Sequence, residues 1–134
     1  MMPPKTIAFD DSELSAGGIP RAAVTLLGPG GPKGSRANFA GVLIDTGATH
    51  TQLPEDVARN IGIDPSQGAA VQIATSNGTA NRQHLTVTLE IQGVTVTGID
   101  VYFGGEVAPL LGRSSLYAAF AAAGFEPAEW LRKL

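Results

Sequence analysis

An acidic residue ends a short apolar run in the stretch Gly41-Val42-Leu43-Ile44-Asp45-Thr46-Gly47-Ala48-Thr49. The three apolar residues before Asp45, two of them β-branched, predict a buried strand. Such a strand is expected to end in further apolar residues or in a turn, because an unpaired buried carboxylate costs free energy. Asp45 therefore needs a functional explanation. Thr46 places a hydroxyl beside it, Gly47 lets the backbone turn sharply, and the small Ala48 leaves room for another group to approach.

The residues Leu43-Ile44-Asp45-Thr46-Gly47-Ala48-Thr49 resemble the active-site signature of aspartic proteases. The alanine after the glycine makes them similar to the single-domain, retropepsin-like branch of that family. The resemblance implies that Asp45 is one half of a catalytic pair and that the Thr46 hydroxyl locks two loops together across a dimer. It also implies that the backbones of Gly47 and Ala48 contact substrate, while Thr49 completes the loop.

A second motif, Ala108-Pro109-Leu110-Leu111-Gly112-Arg113, strengthens this resemblance. In retropepsin-like proteases two apolar residues and a glycine form a strand that crosses next to the catalytic loop, and the glycine permits close passage. The arginine of viral members pairs with an acid shortly after the catalytic loop. Here Thr49 or His50 stands at the matching position. The partner of Arg113 therefore stays open between a backbone carbonyl, a carboxylate such as Asp56, and substrate.

A hairpin is predicted around Asn77-Gly78, since this dipeptide between two strands is a strong turn signal. Val71 and Ile73 begin the first strand, and apolar residues alternate with polar ones from Leu85 to Ile91 in the second. The resemblance implies that the hairpin is a flap, with Ser76, Asn77 and Gly78 closing over substrate. An ordinary surface hairpin is the alternative.

The remaining pattern is that of an all-β chain, with many turn residues between short apolar runs. Residues 54–62 predict a short helix that Gly62 ends. A second helix is expected after the second motif, with Ser114 or Ser115 as its N-cap. The resemblance implies a partly closed, retropepsin-like β-barrel of six or seven strands with one or two short helices, assembled as a two-fold homodimer. Further strands are predicted over residues 22–27, 94–97 and 99–103.

Length and charge limit the class of protein. The 134 residues fit one domain, which we place at residues 20–124, after a leader over 1–19 and before a tail over 125–134 that is helical and able to seal a dimer. The formal charge of −3 is scattered, so nucleic acid is not expected as a partner. Neither a signal peptide nor a membrane span is visible, and we therefore expect a cytoplasmic protein.

The chemistry of the resembled family requires two carboxylates that share one proton, one to accept a proton from water and the other to protonate the scissile carbonyl. A single Asp-Thr-Gly in this chain implies that Asp45 of a second copy supplies the other carboxylate. No cofactor is expected, and His50 and His84 are too few and too far apart in sequence for a metal site. Substrate would be a peptide or protein, selected by pockets lined with apolar residues.

Two alternatives compete with an endopeptidase. One is a proteolytically inactive dimerisation or peptide-binding module on the same fold, because fold alone does not determine function. The other is a small-molecule-binding β-barrel, which would make both motifs accidental. The intact Asp45-Thr46-Gly47-Ala48 favours the enzyme.

Overall fold

The computed structural model describes residues 21–29, 34–45, 47–75, 78–105 and 107–123. The predicted leader over 1–19 and the predicted tail over 125–134 lie outside these ranges. In the described part of the chain, most residues belong to one sheet. Its seven strands are β1 (Arg21–Leu27), β2 (Arg36–Ile44), β3 (Thr51–Pro54), β4 (Ala69–Thr75), β5 (Gly78–Ile91), β6 (Val94–Gly104) and β7 (Leu110–Leu111). Two short α-helices accompany them, α1 (Glu55–Asn60) and α2 (Arg113–Ala123), with a 3-10 turn at Pro65–Gln67.

The strands follow the order β1-β2-β7-β3-β6-β5-β4, and β1 also pairs with β5. The pairs β2–β7 and β3–β6 are parallel, whereas the other pairs are antiparallel. The short β7 thus lies between β2 and β3, the two strands that precede and follow Asp45. The predicted all-β class with two short helices is confirmed.

The core lies inside this sheet and under α2. Phe103 is its largest fully buried side chain, and Leu116 brings α2 onto the sheet. Every strand except β4 contributes at least one buried apolar side chain, as expected where alternate residues of a strand face the interior. The fully buried apolar residues include Val24, Leu26, Val42, Leu53, Leu89, Ile91, Val101, Phe103, Leu111 and Leu116.

The prediction of two separate strands over 94–97 and 99–103 is wrong. Strand β6 is a single strand with a bulge, since Leu89 pairs with Val96 while Val87 pairs with Ile99. Gly98 in the bulge has a φ of +69°, a conformation that glycine adopts without strain. The additional residue changes the alternation, so that Val96 and Ile99 are both buried although they are three positions apart.

Both helices begin differently from the prediction. Pro54 is the N-cap of α1 rather than its first residue, and Gly62 follows the end of the helix with a φ of +87°. Helix α2 begins at Arg113, so neither Ser114 nor Ser115 is its N-cap. The reason is tertiary: the first two N–H groups of α2 donate to carbonyls of the loop after Asp45, which replaces a side-chain cap. No helix in the described ranges is long and apolar enough to cross a membrane.

Candidate functional site

Asp45 directly follows the last residue of β2 and lies beside β7. Leu43 and Ile44 pair in parallel with Leu110 and Leu111, and the Asp45 N–H donates to the Leu111 carbonyl at 3.1 Å. The two motifs that the sequence separates are therefore neighbours in the sheet.

The Asp45 side chain is held by its own loop. The Gly47 N–H donates to Asp45 Oδ1 at 2.9 Å, and the Ala48 N–H donates to the Asp45 carbonyl at 3.1 Å. Among the described residues Gly47 is the one donor to this carboxylate, which is partly exposed. Thr46, for which a hydroxyl bond across a dimer is predicted, lies outside the described residues.

The loop after Gly47 is fastened to the start of α2. The Arg113 N–H donates to the Ala48 carbonyl at 2.9 Å, and the Ser114 N–H and hydroxyl both donate to the Thr49 carbonyl, at 3.2 and 2.8 Å. The Arg113 guanidinium donates to the Thr49 hydroxyl at 3.1 Å. In the described part of the chain its partner is thus the neutral hydroxyl of Thr49, one of the two candidates for the position that matches the acid of viral members.

Beneath the loop, Gly112 passes close to the backbone of His50. A side chain at Gly112 would place its Cβ 2.5 Å from the His50 carbonyl carbon and oxygen, so this position requires glycine. The buried Gly112 N–H donates to the Thr51 hydroxyl at 3.1 Å, and that hydroxyl lies 2.5 Å from the Ser115 hydroxyl. Sequence reasoning missed Thr51 and considered Ser115 only as an N-cap, because no local signal joins two hydroxyl residues so far apart in the chain.

A cleft of about 410 Å³ separates the Asp45 loop from β4. Gly47, Ala48, Thr49 and His50 line one side, and Gln72, Ile73 and Ala74 line the other. The structure thus brings β4, the first strand of the predicted hairpin, to the same cleft as the loop that follows Asp45. A larger cavity of about 510 Å³ opens on the other side of Gln72, between Glu55 and Arg82, and none of the described residues of the Asp45 loop lines it.

The turn of this hairpin is shifted from the prediction. Gly78 pairs with Thr75 and accepts the Thr75 hydroxyl at its carbonyl, at 3.0 Å, so Gly78 belongs to the ladder rather than to the centre of the turn. Its φ of +113° still requires glycine. Ser76 and Asn77, the other two predicted flap residues, lie outside the described residues.

Both polar and apolar side chains line the cleft. The polar ones are Thr49, His50, Gln52 and Gln72, and the apolar ones are Ile73 and two alanines. Strand alternation turns Gln52 towards the cleft and its neighbours Thr51 and Leu53 into the interior.

Two histidines flank one tyrosine beside the cleft. The ring centroid of Tyr102 lies 4.4 Å from that of His50 and 5.1 Å from that of His84. His84 Nε2 is 2.8 Å from Asp100 Oδ1, which gives the exposed Asp100 a partner on the adjacent strand. Within the described ranges, no group of three or more potential metal ligands is found.

One family of known proteins matches the part of the chain that forms this site. A family model described as "gag-polyprotein putative aspartyl protease" matches residues 38–117. The match includes the Asp45 loop, the β4–β5 hairpin and the motif at β7. No curated protein matches the chain at a significant level.

Proposed function

The chain belongs to the retropepsin-like family of aspartic proteases, and we propose that it is an endopeptidase whose catalytic carboxylates are Asp45 and Asp45 of a second copy. The observation that carries this proposal is the Asp45 loop itself. One carboxylate oxygen accepts the Gly47 N–H, while backbone hydrogen bonds fasten the loop to Leu111 and to the start of α2. The carboxylate is therefore oriented before substrate arrives, which is what efficient catalysis requires.

A pair of such carboxylates supplies both halves of the reaction. Like charges a few ångströms apart do not both ionise, so the pair holds one proton. The ionised Asp45 accepts a proton from the attacking water, and the protonated one donates to the scissile carbonyl. Because each chain contributes one Asp-Thr-Gly, the pair forms on the axis of a two-fold homodimer.

The remaining parts of the site follow from this arrangement. The β4–β5 hairpin closes over substrate as a flap, a role supported by the position of Gln72 and Ile73 across the cleft from the loop. The N–H groups of Gly47 and Ala48 are bonded to Asp45, and the Ala48 carbonyl accepts the Arg113 N–H, so the Gly47 carbonyl is the backbone group that the loop offers to a substrate bound as an added strand. The pairing of β1 with both β2 and β5 supports a partly closed barrel within a protease domain over residues 20–124.

Cleavage of an unstructured peptide library tests the proposal. Wild type, Asp45→Asn and the matched surface variant Asp56→Asn are incubated with the library across a pH series, and products are identified by mass spectrometry. We expect cleavage in moderate acid that Asp45→Asn reduces by roughly 10²–10⁴-fold, since both proton-transfer roles are lost. Asp56, exposed on α1, accepts only the Val57 N–H among the described residues, and its variant should cleave like wild type.

Absence of cleavage by a folded, dimeric wild type would overturn the proposal and leave a peptide-binding or dimerisation module. Equal cleavage by wild type and Asp45→Asn would show that the activity does not come from this site.

A further inference from the structure

Two of the side chains that line the cleft, Gln52 and Thr49, have their acceptor atoms already in use. Gln52 is the clearest case, because its Oε1 accepts from Arg82 Nε at 3.1 Å in a partly buried bond. A guanidinium has donors and no acceptor, so the amide oxygen of Gln52 must be the atom that faces Arg82. The amide NH₂ of Gln52 is then the group left for an occupant of the cleft.

The same argument applies to Thr49. Its hydroxyl oxygen accepts from the Arg113 guanidinium at 3.1 Å, which again can only donate. The Ser114 N–H and hydroxyl are both directed at the Thr49 carbonyl and do not use the Thr49 hydroxyl. The hydroxyl proton of Thr49 is thus free to be donated to a ligand.

A cation lies directly behind each of these two donors. Arg82 and Arg113 each lie one hydrogen bond behind a donor, where a guanidinium polarises the group it binds. Two nearby acids have basic partners, Glu55 with Arg59 and Asp100 with His84, whereas Asp45 is bonded to the neutral Gly47 N–H. His50 adds a ring N–H to the lining, and two when it is protonated.

We propose that this cleft binds an acidic side chain of the substrate, whose carboxylate accepts from the Gln52 amide and the Thr49 hydroxyl. The inference rests on the proposed function and names its substrate class: extended peptides with Glu or Asp at the position that fills the cleft. An apolar side chain there would leave both donors without a partner. A hydrogen bond to a charged group contributes enough for about a tenfold preference of Glu over Met, which has a similar size.

Two assays on one positional-scanning peptide library test the inference. Each position is fixed in turn as Glu, Gln, Met or Lys. Binding to Asp45→Asn is measured by fluorescence anisotropy, and cleavage by wild type is measured by mass spectrometry. We expect one position at which the order is Glu, Gln, Met, Lys, with Glu bound and cleaved about tenfold better than Met.

The variant Gln52→Glu keeps an acceptor for Arg82 and replaces the amide NH₂ by an oxygen, which changes the free group from a donor to an acceptor. We expect the preference for Glu over Met to fall about tenfold, while binding of the Met peptides is retained. Gln67→Glu introduces the same charge at an exposed position outside the cleft and should keep the wild-type preference. Thr49→Val provides an independent variant and should lower the preference severalfold.

The outcomes separate the inference from the function on which it rests. If Met equals or exceeds Glu at every position, the inference is wrong, even if cleavage is lost in Asp45→Asn and the protease proposal stands. If Glu is preferred in binding but wild type cleaves nothing, the cleft has the stated chemistry and the proposed catalysis is wrong. An unchanged Glu preference in both Gln52→Glu and Thr49→Val would also overturn the inference.

Discussion

Thr51 supplies the hydrogen-bond acceptor that the close packing under the Asp45 loop requires. Because Gly112 passes against the His50 backbone, its N–H is buried and needs an acceptor. The Thr51 hydroxyl accepts this N–H and shares a second hydrogen bond with the Ser115 hydroxyl. Both Thr51 and Ser115 are completely buried, so water cannot replace either bond.

Thr51→Val keeps the shape of the side chain and removes the hydroxyl. The buried Gly112 N–H and Ser115 hydroxyl then lose their partner, and we expect the free energy of unfolding to fall by about 1–3 kcal/mol. Urea denaturation measures this change. Thr51→Ser, which keeps the hydroxyl, should lose less, and Thr95→Val on the exposed side of β6 serves as the control. Equal stability of Thr51→Val and the control would mean that the bonds contribute nothing.

The pKa of the Asp64 carboxyl reports on the hydrogen bonds within a single turn. The Ser66 hydroxyl donates to Asp64 Oδ1 at 2.6 Å and the Ser66 N–H donates to the same oxygen at 3.0 Å. These two bonds, the hydroxyl first, hold the pKa of Asp64 below its ordinary value of 3.8. A carboxyl whose pKa is lower in the folded state than in the unfolded state stabilises the fold at pH values above its unfolded-state pKa. This stabilisation is lost as the pH falls through its folded-state pKa.

We therefore expect an NMR titration of the Asp64 carboxyl to show a midpoint below 3.8, and Ser66→Ala to move it part of the way back. The return is partial because alanine keeps the backbone N–H that also donates to Oδ1. A midpoint that does not change in Ser66→Ala would show that the hydroxyl bond is not formed in solution.

Strand β6 shows what sequence can and cannot reveal about an element. The alternation of Val94 and Val96, and again of Ile99, Val101 and Phe103, was readable, as was the break at Gly98. A strand end and a β-bulge produce the same local signal, a glycine between two alternating runs. Only the register with β5, set by residues distant in sequence, distinguishes them.

The bulge predicts how substitutions at Gly98 behave. A Cβ there would have no atom within 4 Å, so the cost comes from the φ of +69° and not from crowding. We expect Gly98→Ala to lower the free energy of unfolding by about 1 kcal/mol and Gly98→Asn to lower it less, because asparagine tolerates this conformation better. Gly41→Ala on β2, where the nearest atom is at 3.5 Å, should be close to neutral in the same urea denaturation. A neutral Gly98→Ala would argue against the bulge.

The start of helix α2 and the orientation of Gln52 also could not be predicted from local sequence. Ser114 and Ser115 matched the local rule for an N-cap, but carbonyls of the Asp45 loop satisfy the helix N–H groups instead. Gln52 stood in a strand too short for its alternation to identify a cleft face. Both outcomes depend on contacts between distant segments. The positions of Asp45 and of the second motif could be predicted because each motif has a local sequence signature.

At the level of the whole molecule, the decisive question is whether one chain or two form the active site. Each chain presents one Asp45 carboxylate, with one oxygen bonded to Gly47, and no acid is among the described residues that line the adjoining cleft. Acid and base roles in one reaction cannot both come from a single carboxylate in a single protonation state. The proposed catalysis therefore predicts that activity belongs to pairs of chains.

Mixing wild type with Asp45→Asn tests this prediction, because an Asp/Asn pair lacks one of the two carboxylates. After subunit exchange of equal amounts, random pairing leaves wild-type pairs as about a quarter of all dimers, so peptide cleavage per wild-type chain should fall to about half. A larger excess of Asp45→Asn should lower it further, and dilution of wild type alone should lower it as dimers dissociate. Asp56→Asn, mixed in the same way, should leave the rate per active chain unchanged. If Asp45→Asn also leaves it unchanged in mixtures shown by sedimentation to contain heterodimers, a single chain performs the hydrolysis, and its second proton-transfer group must be sought elsewhere in that chain.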